Sequence, residues 1–371
     1  MYQEDKMREM GRVIGELAAG RDLSRQQACE YYRQVLLSEQ PELQQGAFLA
    51  AHMAKGPTIE EIAGCWDAVL RYDTQTIEPR LDEPPCDIVG TGSDALKTVN
   101  VSSPVAVMAA ACGVKVCKKG AQRVTGVAGA SEIFAQFGLD LGSPLDAARR
   151  SLETAGLAYL PGESFLKAGW ARLVQHMRFT SIFNIVGPLT MPCPATSTLV
   201  LGVYQRELAR TMASIAAQIG VQAALCMYGT SQEHPAEKGI DEVSPCGPTH
   251  CVELKDGELR EYTLTPEDFG LKPCRYQDVA TRRDARGNAR AALAVLAGRD
   301  QGPVADFLAM NTAVVLKLTG KVRDLSAGVD QARQAVAQGK ALDKLRELVS
   351  LQTRDPDRGL ATLEGLLKEL D

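Results

Sequence analysis

None of the ten cysteines stands in a C-x-x-C pair; the closest, Cys112 with Cys117 and Cys246 with Cys251, are five residues apart. That spacing excludes the common zinc-ligand patterns and argues against a disulfide framework, so the cysteines read as reduced small hydrophobes. Histidines number only four (His52, His176, His234, His250) and are scattered, so they read as structural or solvated rather than metal-bound. Positive charge is not in excess: the formal net charge is −5, which argues against a nucleic-acid partner. The opening MYQEDKMREM lacks an apolar signal core. No apolar run approaches the roughly 18 residues that cross a bilayer, so no membrane is expected and the compartment expected is the cytoplasm. No Cys/His or Ser/His/Asp signature of covalent catalysis, short repeat or low-complexity segment is visible.

What is there is a chain of 371 residues, 45% apolar and 23% charged, long enough for one large domain and a smaller one. Its first part reads as helices. Met7, Met10, Val13, Ile14 and Leu17 share one helical face. Ser24 with Gln27, and Thr58 with Glu61, are capping boxes ahead of helices expected over 28–37 and 58–70. No β-rich run precedes Cys86, so residues 1–72 form a small helical domain, completed by about 165–190. Residues 73–371 form a large α/β domain, entered through the charged, proline-rich connector 73–85.

Beyond the connector, strand-like and helix-like runs alternate, which implies a mostly parallel sheet. Strands are expected at 87–89, 114–117, 157–160, 198–204 and 223–228, with helices at 102–112, 131–137, 144–155, 165–176 and 207–219. Ser143 is a candidate cap for the helix that follows it. A hairpin is expected where 250–254 and 259–264 flank Lys255-Asp256-Gly257-Glu258, and the C-terminus is helical again from Asp278.

Two strand ends carry the chemistry. Asp87-Ile88-Val89 breaks at Gly90-Thr91-Gly92-Ser93-Asp94, and Thr98, Asn100, Val101, Ser102 and Ser103 follow before the next helix. Backbone N–H groups and hydroxyls together at such a turn suit a phosphate. The second strand is expected to open into a flexible loop, 118–129, with Lys118, Lys119 and Arg123 among Gly120, Gly126 and Gly129; basic residues there complement phosphate charge. Asp241-Glu242 follows a third strand end, and with the Ser102 hydroxyl forms a hard-oxygen set suited to Mg²⁺ on a pyrophosphate.

DIVGTGSD, TVNVSS, VCKKG, SIFNIVGPL, GIDEVS and LTPEDFG, in this order and spacing, resemble the anthranilate phosphoribosyltransferase family over nearly the whole chain; only about 352–371 extends beyond the usual end. The resemblance implies a helical domain hinged to a large α/β domain, a homodimer formed through the helical domain, bound Mg²⁺, and phosphoribosyl transfer from phosphoribosyl pyrophosphate to the amine of anthranilate. Gly90, Thr91, Gly92, Ser93, Asp94, Thr98, Asn100, Val101, Ser102 and Ser103 fall on the donor pattern, Lys118 and Gly120 on the second loop's start, and Ser102, Asp241 and Glu242 on the metal positions. Asp94 and Lys118 take the catalytic roles.

Departures cluster on the acceptor side. Where the family reads Lys-His-Gly-Asn-Arg-Ser, this chain reads Lys118-Lys119-Gly120-Ala121-Gln122-Arg123. Thr180 stands where an arginine is expected, with Arg178 nearby, and Ala130 replaces a serine. Ser93 and Ala95 replace glycines, which strains the turn if either needs φ > 0. Losing the amide and guanidinium costs a carboxylate acceptor roughly 1.5–3 kcal/mol each unless Lys119, Arg123 or Arg178 compensates. Three alternatives therefore stand beside anthranilate transfer: another aromatic amine acceptor, nucleoside phosphorylase chemistry, and an inactive relative binding nucleic acid.

Overall fold

The computed structural model describes residues 2–371 apart from 93, 123–126, 178, 180 and the side chains of 174 and 175. In chain order the elements are α1 (Glu4–Ala18), α2 (Arg25–Leu36), α3 (Glu42–Lys55), α4 (Ile59–Ala68), β1 (Cys86–Gly90), α5 (Ser102–Ala111), β2 (Val116–Gly120), α6 (Ala130–Gln136), α7 (Leu145–Ala155), β3 (Leu157–Pro161) and α8 (Gly162–Phe165). Then follow α9 (Ala168–His176), α10 (Phe183–Val186), β4 (Thr198–Gly202), α11 (Arg206–Gln218), β5 (Ala223–Gly229), the hairpin β6 (Thr249–Lys255) and β7 (Glu258–Leu264), α12 (Tyr276–Val279), α13 (Ala285–Leu296), α14 (Pro303–Leu318), α15 (Leu325–Ala337), α16 (Lys340–Leu351) and α17 (Pro356–Lys368).

Two compact units emerge, one of Met1–Thr76, Phe165–Pro192 and Ser214–Gly220, the other of Ile77–Ser164, Cys193–Ala213 and Val221–Asp371. The first is helical. Both capping boxes form: the Ser24 side chain accepts from Gln27 N–H, and Thr58 from Glu61 N–H. The helix begun at Ile59 gives way at Ala68 to a π-turn, Val69–Asp73, rather than running to residue 70. His52 is fully buried, with Tyr32 Oη at 2.6 Å from Nδ1 and Glu61 Oε2 at 3.3 Å from Nε2, a structural histidine as its isolation in sequence implies.

The second unit is built on a seven-stranded sheet in the order β3-β2-β1-β4-β5-β6-β7, parallel from β3 to β5 and antiparallel through β6 and β7. This is the mostly parallel sheet with one antiparallel hairpin that the alternation predicts. Asp256 (φ 52) and Gly257 (φ 79) turn the hairpin in the left-handed region, as a two-residue type I′ loop requires. From β1 the chain passes outward to β2 and β3, then returns to β4 on the other side. The carboxyl ends of β1 and β4 therefore flank a switch point, the usual ligand crevice of such sheets.

Helix α5 begins at this crevice and is almost wholly buried, Val105 to Met108 being at most 1% exposed. Its small side chains (Ala106, Ala109, Ala110) let β1, β2, α14 and α16 close around it. Some boundaries differ from expectation. β2 runs to Gly120, so Lys118 and Lys119 are strand residues and not part of a flexible loop. Helix α7 starts after Pro144 with no side-chain cap from Ser143. The helix expected at 165–176 is split into α8 and α9.

The C-terminal segment closes the β3 edge. Gln352, following α16, accepts from Tyr159 N–H (3.0 Å) and donates to Tyr159 O, so its amide takes the place of a neighbouring strand. Gln352→Ala leaves both backbone groups unpaired in a buried strand and is expected to destabilise the fold by about 2–4 kcal/mol in urea titration. A change within about 0.5 kcal/mol would rule out that bracing role.

Candidate active site

Three strand ends meet at one segment. Gly90 ends β1, Gly202 ends β4 and Gly229 ends β5, and a Cβ on any of them would run into Asp241 or Glu242. The acidic segment lies across these bare glycines, which is why side chains are absent there. Its register is held by Gly229 and Ile240, whose N–H groups each donate to the other's carbonyl at 2.9 Å. Beyond it, the buried Asn311 of α14 accepts from Val243 N–H and donates to Val243 O, both at 3.0 Å.

The donor turn is tied to the same segment. Gly92, in the left-handed region at φ 64, donates its N–H to Asp241 Oδ2 at 2.9 Å. Thr91 N–H donates to Gly202 O (2.9 Å), and Thr91 Oγ1 accepts from Tyr204 N–H at 3.0 Å. Ala95 keeps a negative-side φ: among the described non-glycine residues only Ser38 and Asp256 enter the left-handed region, so that replacement is unstrained. Ser93 lies outside the described residues.

The rest of the turn leads into α5. Thr98 bridges to Ala280, and Asn100 Oδ1 accepts from Ser103 N–H at 3.3 Å, capping the helix start. Val101 is buried, Ser102 opens α5, and the Ser103 hydroxyl is buried without a partner. A small cavity of about 10 Å³, room for about one water, is lined by Gly90, Val101, Ser102, Asp241, Glu242 and Asn311.

Beneath this cluster lie the two lysines of β2. Lys118 Nζ, 1% exposed, donates to Ile88 O (2.7 Å) and to Ser102 Oγ (3.1 Å). Burial pushes its ammonium down to about 8. Lys119 is turned to Asp87: its ammonium pairs with Oδ2, and its N–H donates to Oδ1 at 3.2 Å. Both partners are buried, so this cation is neutralised inside the sheet and is not a free loop charge. Gly120 is bare because a Cβ would meet Ala130 and the Tyr159 hydroxyl. Ala121 O accepts from Ser131 N–H at 3.2 Å, and Gln122 N–H donates to Glu163 Oε1 at 2.8 Å, so these two residues are tied to α6 and α8. Arg123, Arg178 and Thr180 lie outside the described residues.

Three carboxylates converge with incomplete compensation. Asp94 is pushed up to about 7 by burial first and Asp241 second, against its bond from Lys97. Glu242 is held well above the ordinary range by burial, Asp241 and Asp94, and its Oε2 is buried without a hydrogen-bond partner. Among the described residues no three His, Cys, Asp or Glu side chains form a closed metal cage. Mg²⁺ does not need one, since it is commonly held by one or two carboxylates with water and substrate phosphate completing the shell. The orphaned Glu242 oxygen beside Asp241 fits that half-built site.

Asp87, Asn311, Gly202 and Gly229 are site-building residues that sequence reasoning passes over. Signals are present: an asparagine in the apolar run FLAMNTAVVL, and glycines at 202 and 229 within or directly after the strand-like runs 198–204 and 223–228.

Comparison with known proteins accords with this geometry. Residues 12–72 match the helical bundle domain of the glycosyl transferase family, and residues 82–342 its a/b domain. The anthranilate phosphoribosyltransferase of Aeromonas hydrophila is 33% identical over 345 residues, covering 92% of this chain and 97% of that one. That of Anaeromyxobacter dehalogenans is 34% identical, covering 92% and 98%. Among solved structures, the Saccharomyces cerevisiae enzyme in complex with PRPP and Mg superposes with a TM-score of 0.80 at 25% identity, covering 98% of this chain and 99% of that one. The Thermus thermophilus enzyme gives 0.79 at 27%, covering 95% and 99%. With the sheet order, the glycine-backed acidic segment and these full-length likenesses in agreement, the chain belongs to the anthranilate phosphoribosyltransferase family.

Proposed function

We propose that this protein is a Mg²⁺-dependent phosphoribosyltransferase that moves the phosphoribosyl group of phosphoribosyl pyrophosphate to the amine of anthranilate and releases pyrophosphate. The observation that carries the reading is the Asp241–Gly92 hydrogen bond, which binds the acidic pair to the phosphate turn at the β1/β4 switch point. Asp241 and Glu242, with Ser102 across the small cavity, would hold the cation, which supplies charge neutralisation to the leaving pyrophosphate.

The chain's own groups do the positioning. The N–H groups of Thr91 and Gly92 are spent on Gly202 O and Asp241, so it is the N-terminus of α5 that presents N–H groups to phosphate. Because Lys118 donates to Ser102 Oγ, the serine hydroxyl hydrogen is left free for a phosphate oxygen, and the unspent Ser103 hydroxyl adds a second donor. In the reaction the bond from ribose C1 to the pyrophosphate oxygen breaks, the amine nitrogen bonds C1, and that nitrogen sheds a proton. No protein nucleophile takes part, and the rate comes from orientation and electrostatics. Asp94, pushed up to about 7 by burial and by Asp241, would be held in its charged form by a neighbouring cation.

Acceptor recognition departs from the family pattern. With Lys119 spent on Asp87 and alanine at 121, neither position offers the carboxylate of anthranilate a free side-chain donor. A second copy of the chain, pairing through the helical unit, is part of the same proposal.

The deciding assay is pyrophosphate release from phosphoribosyl pyrophosphate, dependent on both Mg²⁺ and anthranilate, with other aromatic amines screened in parallel. Free base formed with inorganic phosphate instead would favour a phosphorylase. Asp241→Asn with Glu242→Gln is expected to lower turnover by about 10²-fold or more while leaving the circular dichroism spectrum intact; unaltered turnover would refute the metal assignment.

A pH dependence follows from Asp94. Its carboxyl moves from an ordinary 3.8 to about 7, so between those values the folded chain holds a proton that the unfolded chain has lost. The resulting stability is present below about 4 and disappears as pH rises to about 7. The Tm of the metal-free protein is expected to fall across that window, and Asp94→Asn to flatten the decline; equal slopes would contradict it.

A further inference from the structure

The acidic segment ends at a cysteine that faces another. Cys246 Sγ lies 3.7 Å from Cys274 Sγ, 28 residues later in the chain. Their backbones are already joined: Cys274 N–H donates to Pro245 O at 2.9 Å. Cys246 is itself pinned, its N–H donating to Ser244 Oγ (3.0 Å) and its carbonyl accepting from Gln232 N–H (3.1 Å). A disulfide needs a sulfur separation of about 2 Å, so side-chain rotation and a small shift of either strand of chain suffice.

We infer that Cys246 and Cys274 form a reversible disulfide, a modification site set against the phosphate crevice.

Access and chemistry favour Cys274 as the entry point. It is half-buried within the exposed run Lys272–Arg275, whereas Cys246 is buried. The hydrogen bond from the Cys246 thiol holds Cys274 below the ordinary thiol range. Cys117 and Cys193 also hydrogen-bond to each other, but both are buried. With a small-molecule disulfide as oxidant, the Cys274 thiolate attacks one of its sulfurs, forming a mixed disulfide and releasing one small thiolate. Cys246 then loses its proton and attacks the Cys274 sulfur, releasing the second small thiol. Two protein thiols are oxidised and one small disulfide is reduced.

The bond would couple two sides of the crevice, a consequence that rests on the phosphoribosyltransferase reading. Cys246 lies four residues after Glu242. Cys274 precedes the segment that braces the donor turn: Tyr276 Oη and Thr281 N–H donate to Lys97 O at 2.8 and 2.9 Å, and Val99 N–H donates to Val279 O at 3.0 Å. Drawing the sulfurs together shifts the carboxylates relative to that turn.

The test treats the full chain with oxidised glutathione and maps a non-reducing digest by mass spectrometry. A Cys246–Cys274 linked peptide, lost with dithiothreitol and absent from Cys274→Ser, is expected; Cys246→Ser should instead trap glutathione on Cys274. Cys274 unmodified, or found only as the glutathione adduct in the unaltered chain, overturns the inference. Oxidation is further expected to lower phosphoribosyl transfer about tenfold or more, reversibly, with Cys246→Ser/Cys274→Ser insensitive. Equal activity of the linked and reduced forms would overturn the coupling to the crevice. A reduced chain without transfer activity would count against the proposed function alone, since the peptide map reads the bond directly.

Discussion

The hydrogen bond from Gly92 N–H to the Asp241 carboxylate is the contact on which the site depends. It joins a turn after β1 to a segment 149 residues later, and it forms only because β1, β4 and β5 all end in glycine. Backbone carbonyls and a carboxylate can then pass directly over the strand ends, where any side chain would stand in the way. Asn311 completes the arrangement from α14 by satisfying both backbone groups of Val243, so the acidic segment is pinned on either side of Glu242.

Charge placement follows from the same geometry. Asp94, Asp241 and Glu242 face one another, and the cations within reach are Lys97 on the surface side and Lys118 from below. Burial makes such a surplus of negative charge costly unless a proton or a cation joins it, which is why Asp94 and Glu242 are both held above their ordinary values. Lys119 cannot help, because Asp87 claims it inside the sheet. A buried pair of this kind contributes little net stability but fixes geometry, here the alignment of β1 with β2 where both approach the ligand crevice.

Much of this organisation is readable from residue order. Capping boxes at Ser24 and Thr58, the alternation after residue 85, the Asp256-Gly257 turn and the strand-to-glycine breaks depend on neighbours within a few positions, and the structure contains each of them. The departures are of one kind. Residue order ends β2 at Cys117 because Lys118 and Lys119 look like loop residues; the sheet keeps them because Asp87, Ile88 O and Ser102 lie at the right distances to receive two ammonium groups. Asn311 and Gln352 escape notice in sequence because their partners, Val243 and Tyr159, are 68 and 193 residues away.

Residue order sets the class of fold, the phosphate-suited turn and the presence of an acidic pair, since local periodicity and backbone conformation follow from adjacent residues. Tertiary structure alone decided which groups share the crevice, which lysine is free to act there and which is neutralised, and that two distant cysteines stand sulfur to sulfur. Those outcomes depend on electrostatics and close packing between residues far apart in the chain, and such forces act only once the sheet has brought them within a few ångströms.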